Sequence, residues 1–162
     1  MLVGARMSNK TNVMRILDKQ QIKYQIHDYT KTAAISGIDV ALVLQQPYEK
    51  VFKTLVTVGK SNEHYVFVIP VAQELDLKKA AKSVNEKAIE MIKSKDLLSL
   101  TGYVHGGCSP IGMKKLFKTV IDESVLTLET FCFSGGKIGM QVETKPEELK
   151  KVLNFEIADL CQ

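Results

Sequence analysis

The sequence predicts an α+β fold built on a mixed β-sheet, and three observations predict it. Two β-branched and aromatic runs, residues 51–58 (VFKTLVTV) and 65–69 (YVFVI), flank a polar turn over 59–64, the pattern of an antiparallel hairpin. Helix-like and strand-like segments follow one another without the strand–helix alternation of a doubly wound sheet. The length of 162 residues, 45% hydrophobic and 25% charged, suits one domain with a sizeable core.

The elements follow in order. Val13, Ile16 and Leu17 recur at helical spacing over 11–20. Residues 24–28 read as a short strand. Ser36 is a plausible N-cap for a helix through Leu44, which Pro47 ends. After the hairpin, LDLKKAAKSV over 75–84 predicts a helix capped by Asp76. Residues 89–92 read as a strand, and Ser94 as the start of another helix. Strands are expected over 118–122, 130–134 and 139–143. Thr144 with Glu147 matches a capping box for a last helix through Leu153. Residues 1–6 precede a second methionine, Met7. They read as an upstream start or an added run outside a single domain over 7–162.

Composition excludes several classes. No stretch approaches the roughly 18 apolar residues of a membrane span, and MLVGAR lacks the parts of a signal peptide. The three cysteines, Cys108, Cys132 and Cys161, are odd in number and widely spaced. That argues for a reducing, cytoplasmic compartment and against a disulfide framework or structural zinc. The net charge is +4, carried by 20 lysines and only two arginines, Arg6 and Arg15. Such a balance suits phosphate-bearing partners held through their backbone more than DNA read by its bases.

Two glycine-rich segments stand out as site candidates, residues 102–112 (GYVHGGCSPIG) and 134–139 (SGGKIG). Glycines let a backbone approach a ligand and offer successive N–H groups to an anion or oxyanion. The first has neither Walker nor dinucleotide-binding spacing, and the second lies between two strand-like runs as a hairpin turn would. Read locally, each is better explained as a structural turn. Lys53, inside an apolar strand, is a candidate for holding an anionic group, or else a lysine on a solvated edge. His105 and Cys108 stand at HxxC spacing, but two donors do not make a zinc site, so no metal is expected. His27 and His64 carry no signal. Lys78, Lys79, Lys82, Lys114, Lys115 and Lys118 form either a phosphate-facing surface or a solvated one.

In combination these segments are more specific. VFKTL, PVAQELDLKKAAK, TGYVHGGCSPIGMKK and SGGKIGMQVE occur in this order, and from about Thr11 onward the chain resembles the YbaK-type Cys-tRNA(Pro) deacylases. That family is related to the editing domain inserted in bacterial prolyl-tRNA synthetases. The resemblance implies a mixed, barrel-like β-sheet with flanking helices and a free-standing editing factor without cofactor. The implied partners are aminoacyl-tRNA, namely tRNA(Pro) and tRNA(Cys), with prolyl-tRNA synthetase a further candidate. It implies that Lys53 and Gly107 are catalytic, and that Tyr29, Thr54, Gly106, Ser109, Ser134, Gly135 and Gly136 bind substrate. In the implied mechanism the substrate's own thiol attacks its ester carbonyl, and Gly107 supplies a backbone N–H. The alternatives are a water-dependent deacylase of Ala-tRNA(Pro) or another small aminoacyl-tRNA, and a non-catalytic tRNA- or synthetase-binding module. This chain departs from relatives in three places. His105 and Cys108 replace apolar residues, Gln141 stands where some relatives carry a carboxylate, and the 30–39 segment is short.

Overall fold

The computed structural model describes residues 10–32, 34 and 36–162 of the chain; the upstream run 1–6 lies outside them. Helix α1 (Asn12–Lys19) is capped by the Thr11 hydroxyl and turns Val13, Met14 and Leu17 inward. Strand β1 (Gln25–Asp28) follows, then α2 (Gly37–Leu44), where Ser36 Oγ accepts from Asp39 N as the sequence predicts. A 3₁₀ turn at Tyr48–Lys50 leads into the hairpin of β2 (Phe52–Gly59) and β3 (His64–Pro70). Helix α3 (Leu77–Ser83) is capped by Asp76, whose carboxylate accepts from Lys78 N and Lys79 N. Strand β4 (Ile89–Met91), a 3₁₀ turn and α4 (Leu97–Thr101) precede the first glycine segment. Strands β5 (Lys118–Asp122), β6 (Phe131–Ser134) and β7 (Met140–Thr144), helix α5 (Pro146–Leu149) and strand β8 (Phe155–Ala158) complete the chain.

The strands form a three-stranded sheet, β1-β7-β6, and a five-stranded mixed sheet, β4-β2-β3-β5-β8. A parallel bridge between Val51 and Cys132 joins them along one side. The main core fills the space between sheets: Val66, Val68 and Ile121 face Phe131, Phe133 and Val142, with α1 across one end. Phe52 and Phe131 meet edge to face, ring centroids 5.3 Å apart. The opposite face of the larger sheet, through Phe67, Ile69 and Val120, is covered by Ala80 and Ala81 of α3 and by Leu160. Burial on both faces is why YVFVI is continuously apolar rather than alternating.

Two expectations fail at the C-terminus. The Thr144 capping box does not form. Thr144 is the last residue of β7, and its hydroxyl donates to Lys23 O at 2.8 Å, so Lys145 is the N-cap. Pro146, at the first helical position, fixes the start, and α5 ends at Leu149 rather than Leu153. Strand β8 was not expected. Its alternation, Phe155 and Ile157 against Glu156, is legible, but only parallel pairing with β5 makes the segment a strand.

Candidate active site

A cavity of about 240 Å³ opens where α2, the start of β2, the first glycine segment and the β6–β7 hairpin converge. Residues 51–55 run along it, and Lys53, Thr54, Tyr29, Gly106 and Ser134 all line it. It also takes in Gln141, His105, Cys108, Val40 and Leu97. Strand alternation fixes the entry of β2: Phe52 goes into the core between sheets and Leu55 against the second core.

Four predicted binding or catalytic residues do not line the cavity. Gly107 N–H donates to Val104 O at 3.0 Å. A Cβ there would lie 2.9 Å from Ile138 N and 3.0 Å from the Lys137 main chain, so Gly107 is where the two glycine segments touch. Ser109 is buried, and its Oγ accepts from Ile111 N within the turn. Gly135 N–H closes the β6–β7 hairpin onto Met140 O. Gly136, at φ +101°, donates its N–H to Ser134 Oγ at 3.1 Å. These residues shape the walls that Gly106 and Ser134 present. Among the described residues, the main-chain amides of Gly106 and Cys108, on either side of Gly107, have no hydrogen-bond partner. Gly106 sits at φ +87°, a conformation open to glycine at little cost.

The polar groups in the cavity are conspicuously underused. Thr54 Oγ1 and Gln141 Oε1 are buried, and neither has a hydrogen-bond partner among the described residues. Leaving such a group unpaired costs about 1–3 kcal/mol, so two in one cavity point to a polar ligand. No carboxylate lines the cavity, and among the described residues none pairs with Lys53. Tyr29 is buried and anchored by its N–H to Gly139 O at 2.7 Å. Burial raises its phenol pKa, and the Gln141 side chain partly offsets this. Burial pushes the Cys108 thiol up to about 12 against a smaller opposing effect of Thr101, so it is a poor nucleophile.

Beside the cavity, two residues along β6 and β7, lies a cluster that sequence spacing did not reveal. His27, Cys132 and Glu143 offer donor atoms within 4.8 Å of one another. Glu143 accepts from Thr130 Oγ1 at 2.6 Å, lies 2.8 Å from His27 Nε2, and pairs with Lys50 Nζ at 2.5 Å. The Lys50 ammonium thus already brings the positive charge that a cation would bring. Burial alone would raise the Glu143 pKa, but Lys50, Thr130 and His27 outweigh it and hold it at about 2. These residues come from four separate parts of the chain, and only strand pairing gathers them.

The pocket is lined without carboxylates and set between two glycine segments on a mixed α+β frame. The chain belongs to the aminoacyl-tRNA editing domain family, whose model matches residues 30–152. It is 42% identical over 152 residues to an Enterococcus faecalis protein named "Putative Cys-tRNA(Pro)/Cys-tRNA(Cys) deacylase EbsC", covering 93% of each chain. It is 28% identical over 153 residues to a proline–tRNA ligase of Fervidobacterium nodosum, covering 90% of this chain and 26% of that enzyme. Among solved structures, a hypothetical protein superposes with TM-score 0.86 at 19% identity, covering 94% of this chain and all of that one. A structure described as "a putative trans-editing enzyme for prolyl tRNA synthetase" superposes with TM-score 0.78 at 22% identity, covering 94% of this chain and 98% of that one. The mixed α+β frame expected from the sequence is therefore shared with these folds.

Proposed function

We propose that this protein is a trans-editing deacylase that removes cysteine from mischarged Cys-tRNA(Pro), and from Cys-tRNA(Cys), by cleavage of the aminoacyl ester assisted by the substrate's own thiol. The observation that carries this reading is the cavity itself: among the described residues, a lysine without a carboxylate partner, two unpartnered buried polar atoms, and a lining thiol that burial makes a poor nucleophile. The substrate sulfur forms a bond to its own carbonyl carbon, the bond to the ribose 3′-oxygen breaks, and the thiol proton leaves with that oxygen. The products are cysteine thiolactone and free tRNA. An intramolecular nucleophile carries a large effective molarity, so the protein's task reduces to orientation and charge stabilisation. Lys53 holds the phosphate of the terminal nucleotide at the tRNA 3′ end or the developing negative charge. The free amides of Gly106 and Cys108 face the carbonyl oxygen, and Gly107 fixes them by its contact with Lys137 and Ile138. Tyr29, Thr54 and Ser134 orient the aminoacyl group.

A pocket that fits proline-sized side chains separates near-isosteres poorly, which is why a second, ester-cleaving check is needed. Prolyl-tRNA synthetase, the source of the mischarged tRNA, is the natural partner, and a cytoplasmic site of action fits. One observation favours a second reading: His105 is exposed on the cavity wall and offers a base for water, which would suit Ala-tRNA(Pro). An aminoacyl-tRNA panel decides between them. Cys-tRNA(Pro) is expected to release cysteine thiolactone. Equal cleavage of Ala- and Ser-tRNA(Pro) would overturn thiol assistance, and tRNA retention without turnover would mark a binding module.

A further inference from the structure

The polar face of the three-stranded sheet does not stop at the cavity. Ser134 pairs with Gln141, and two residues further along the same strands Cys132 pairs with Glu143. On β1, His27 is the register partner of Gln141. Alternation puts these side chains on one face, with the cavity residues at one end and the charged cluster directly behind them. Across the seam, Lys50 reaches Glu143 from the turn that delivers β2, and Val51 bridges Cys132. Three residues after Lys50 the same strand presents Lys53 and Thr54 to the cavity.

From this arrangement we infer that Glu143 is a positioning residue for the editing reaction, setting Lys53 and Thr54 through Lys50 and setting Gln141 through β7. The cluster offers no binding site of its own, because each of its charges is answered. The Glu143 and Lys50 side chains are only 9% and 25% exposed, and the Cys132 thiol faces the same carboxylate. What the cluster does have is reach. One carboxylate holds the β1 histidine, the threonine before β6 and the lysine before β2, and so fixes the relative placement of both sheets where the cavity opens. A buried pair of this kind contributes little net stability compared with an apolar substitute, and its best-attested use is to specify one arrangement.

The inference rests on the proposed deacylase activity, so its test has two independent readouts. Glu143→Gln keeps the shape but removes the charge opposite Lys50, and Lys50→Gln removes the other partner from the more exposed side. For each, kcat and KM are measured on Cys-tRNA(Pro), with folding checked by circular dichroism. The side-chain NMR signals of Lys53 and Gln141 are followed against those of Ala80 and Ala81 beyond the larger sheet. The expected result is a fall in kcat of about tenfold or more with KM within about twofold. Lys53 and Gln141 signals shift while Ala80 and Ala81 stay in place, and Lys50→Arg restores most of the loss. In the Glu143→Gln/Lys50→Gln pair the losses are less than additive. Unchanged kcat with unchanged Lys53 signals, or a uniform loss of folded signal in both single variants, would overturn the positioning role. If the unmodified protein fails to cleave any aminoacyl-tRNA yet the Lys53 and Gln141 signals still shift in Glu143→Gln, the deacylase reading falls, and what stands is that Glu143 places Lys53 and Gln141 in the cavity.

Discussion

Two layers of one polar strip behave in opposite ways. In the cavity, among the described residues, Thr54 Oγ1 and Gln141 Oε1 are buried without partners and Lys53 has no carboxylate opposite it. One layer behind, the Glu143 carboxylate is shared among Lys50, His27 and Thr130. Both layers contain buried polar groups, so burial alone does not mark a site. The difference lies in satisfaction: two unpaired polar atoms that line one cavity fit a site for a polar ligand, whereas the fully shared Glu143 carboxylate fits a structural role.

The sharpest way to break this comparison is to remove the lysine of the open layer. Lys53→Ala is expected to lower turnover of Cys-tRNA(Pro) by about 10²–10³-fold, as for loss of one charge-stabilising donor. Thiolactone release measures it, and an unchanged circular dichroism spectrum is expected alongside. The closed layer predicts a pH effect on stability. The Glu143 carboxyl lies below its ordinary value when folded, so its contribution is complete above about 4.5 and is lost as pH falls toward about 2. Denaturant unfolding at pH 5 and pH 3 should therefore differ by on the order of a few kcal/mol more in the parent than in Glu143→Gln.

The contact between the glycine segments gives a third test. Gly107→Ala places a methyl 2.9 Å from Ile138 N, against main chain that cannot rotate away. A destabilisation of ~1–3 kcal/mol, the range for overpacking, is expected in thermal unfolding, together with reduced activity because the walls move apart. The smallest effect separates the layers most cleanly. Thr54→Val removes only an unpartnered hydroxyl, so stability should hold or rise slightly while activity falls about tenfold, the worth of one hydrogen bond to substrate. A loss of stability without loss of activity would place Thr54 in the frame instead.

Much of the fold was legible because local rules and tertiary context agreed. The Ser36 and Asp76 caps, the β2–β3 hairpin and the strand over 118–122 stand where caps, turns and β-branched runs put them. The C-terminus departs from its local pattern because the capping-box sequence at Thr144 competes with a strand that needs that residue, and the strand's pairing to β1 and β6 prevails. In the site, the family pattern points to nine residues, of which Lys53, Thr54, Tyr29, Gly106 and Ser134 line the cavity and Gly107, Ser109, Gly135 and Gly136 do not. It did not separate the glycines that face the cavity from those that shape it, since that depends on which amide the surrounding turn uses.

The glycine segments mark this division best. The sequence by itself determined that two flexible, N–H-rich segments flank strands in a chain with an apolar lysine strand, because glycine spacing and strand patterning are local properties. Only the tertiary structure decided that the segments touch at Gly107, that Gly106 and Ser134 face the cavity while Ser109 turns away, and that His27, Lys50, Thr130 and Glu143 meet. The physical reason is that a hydrogen bond or ion pair between distant residues depends on strand register and sheet placement, and these are set by the packing of the whole core rather than by any local window.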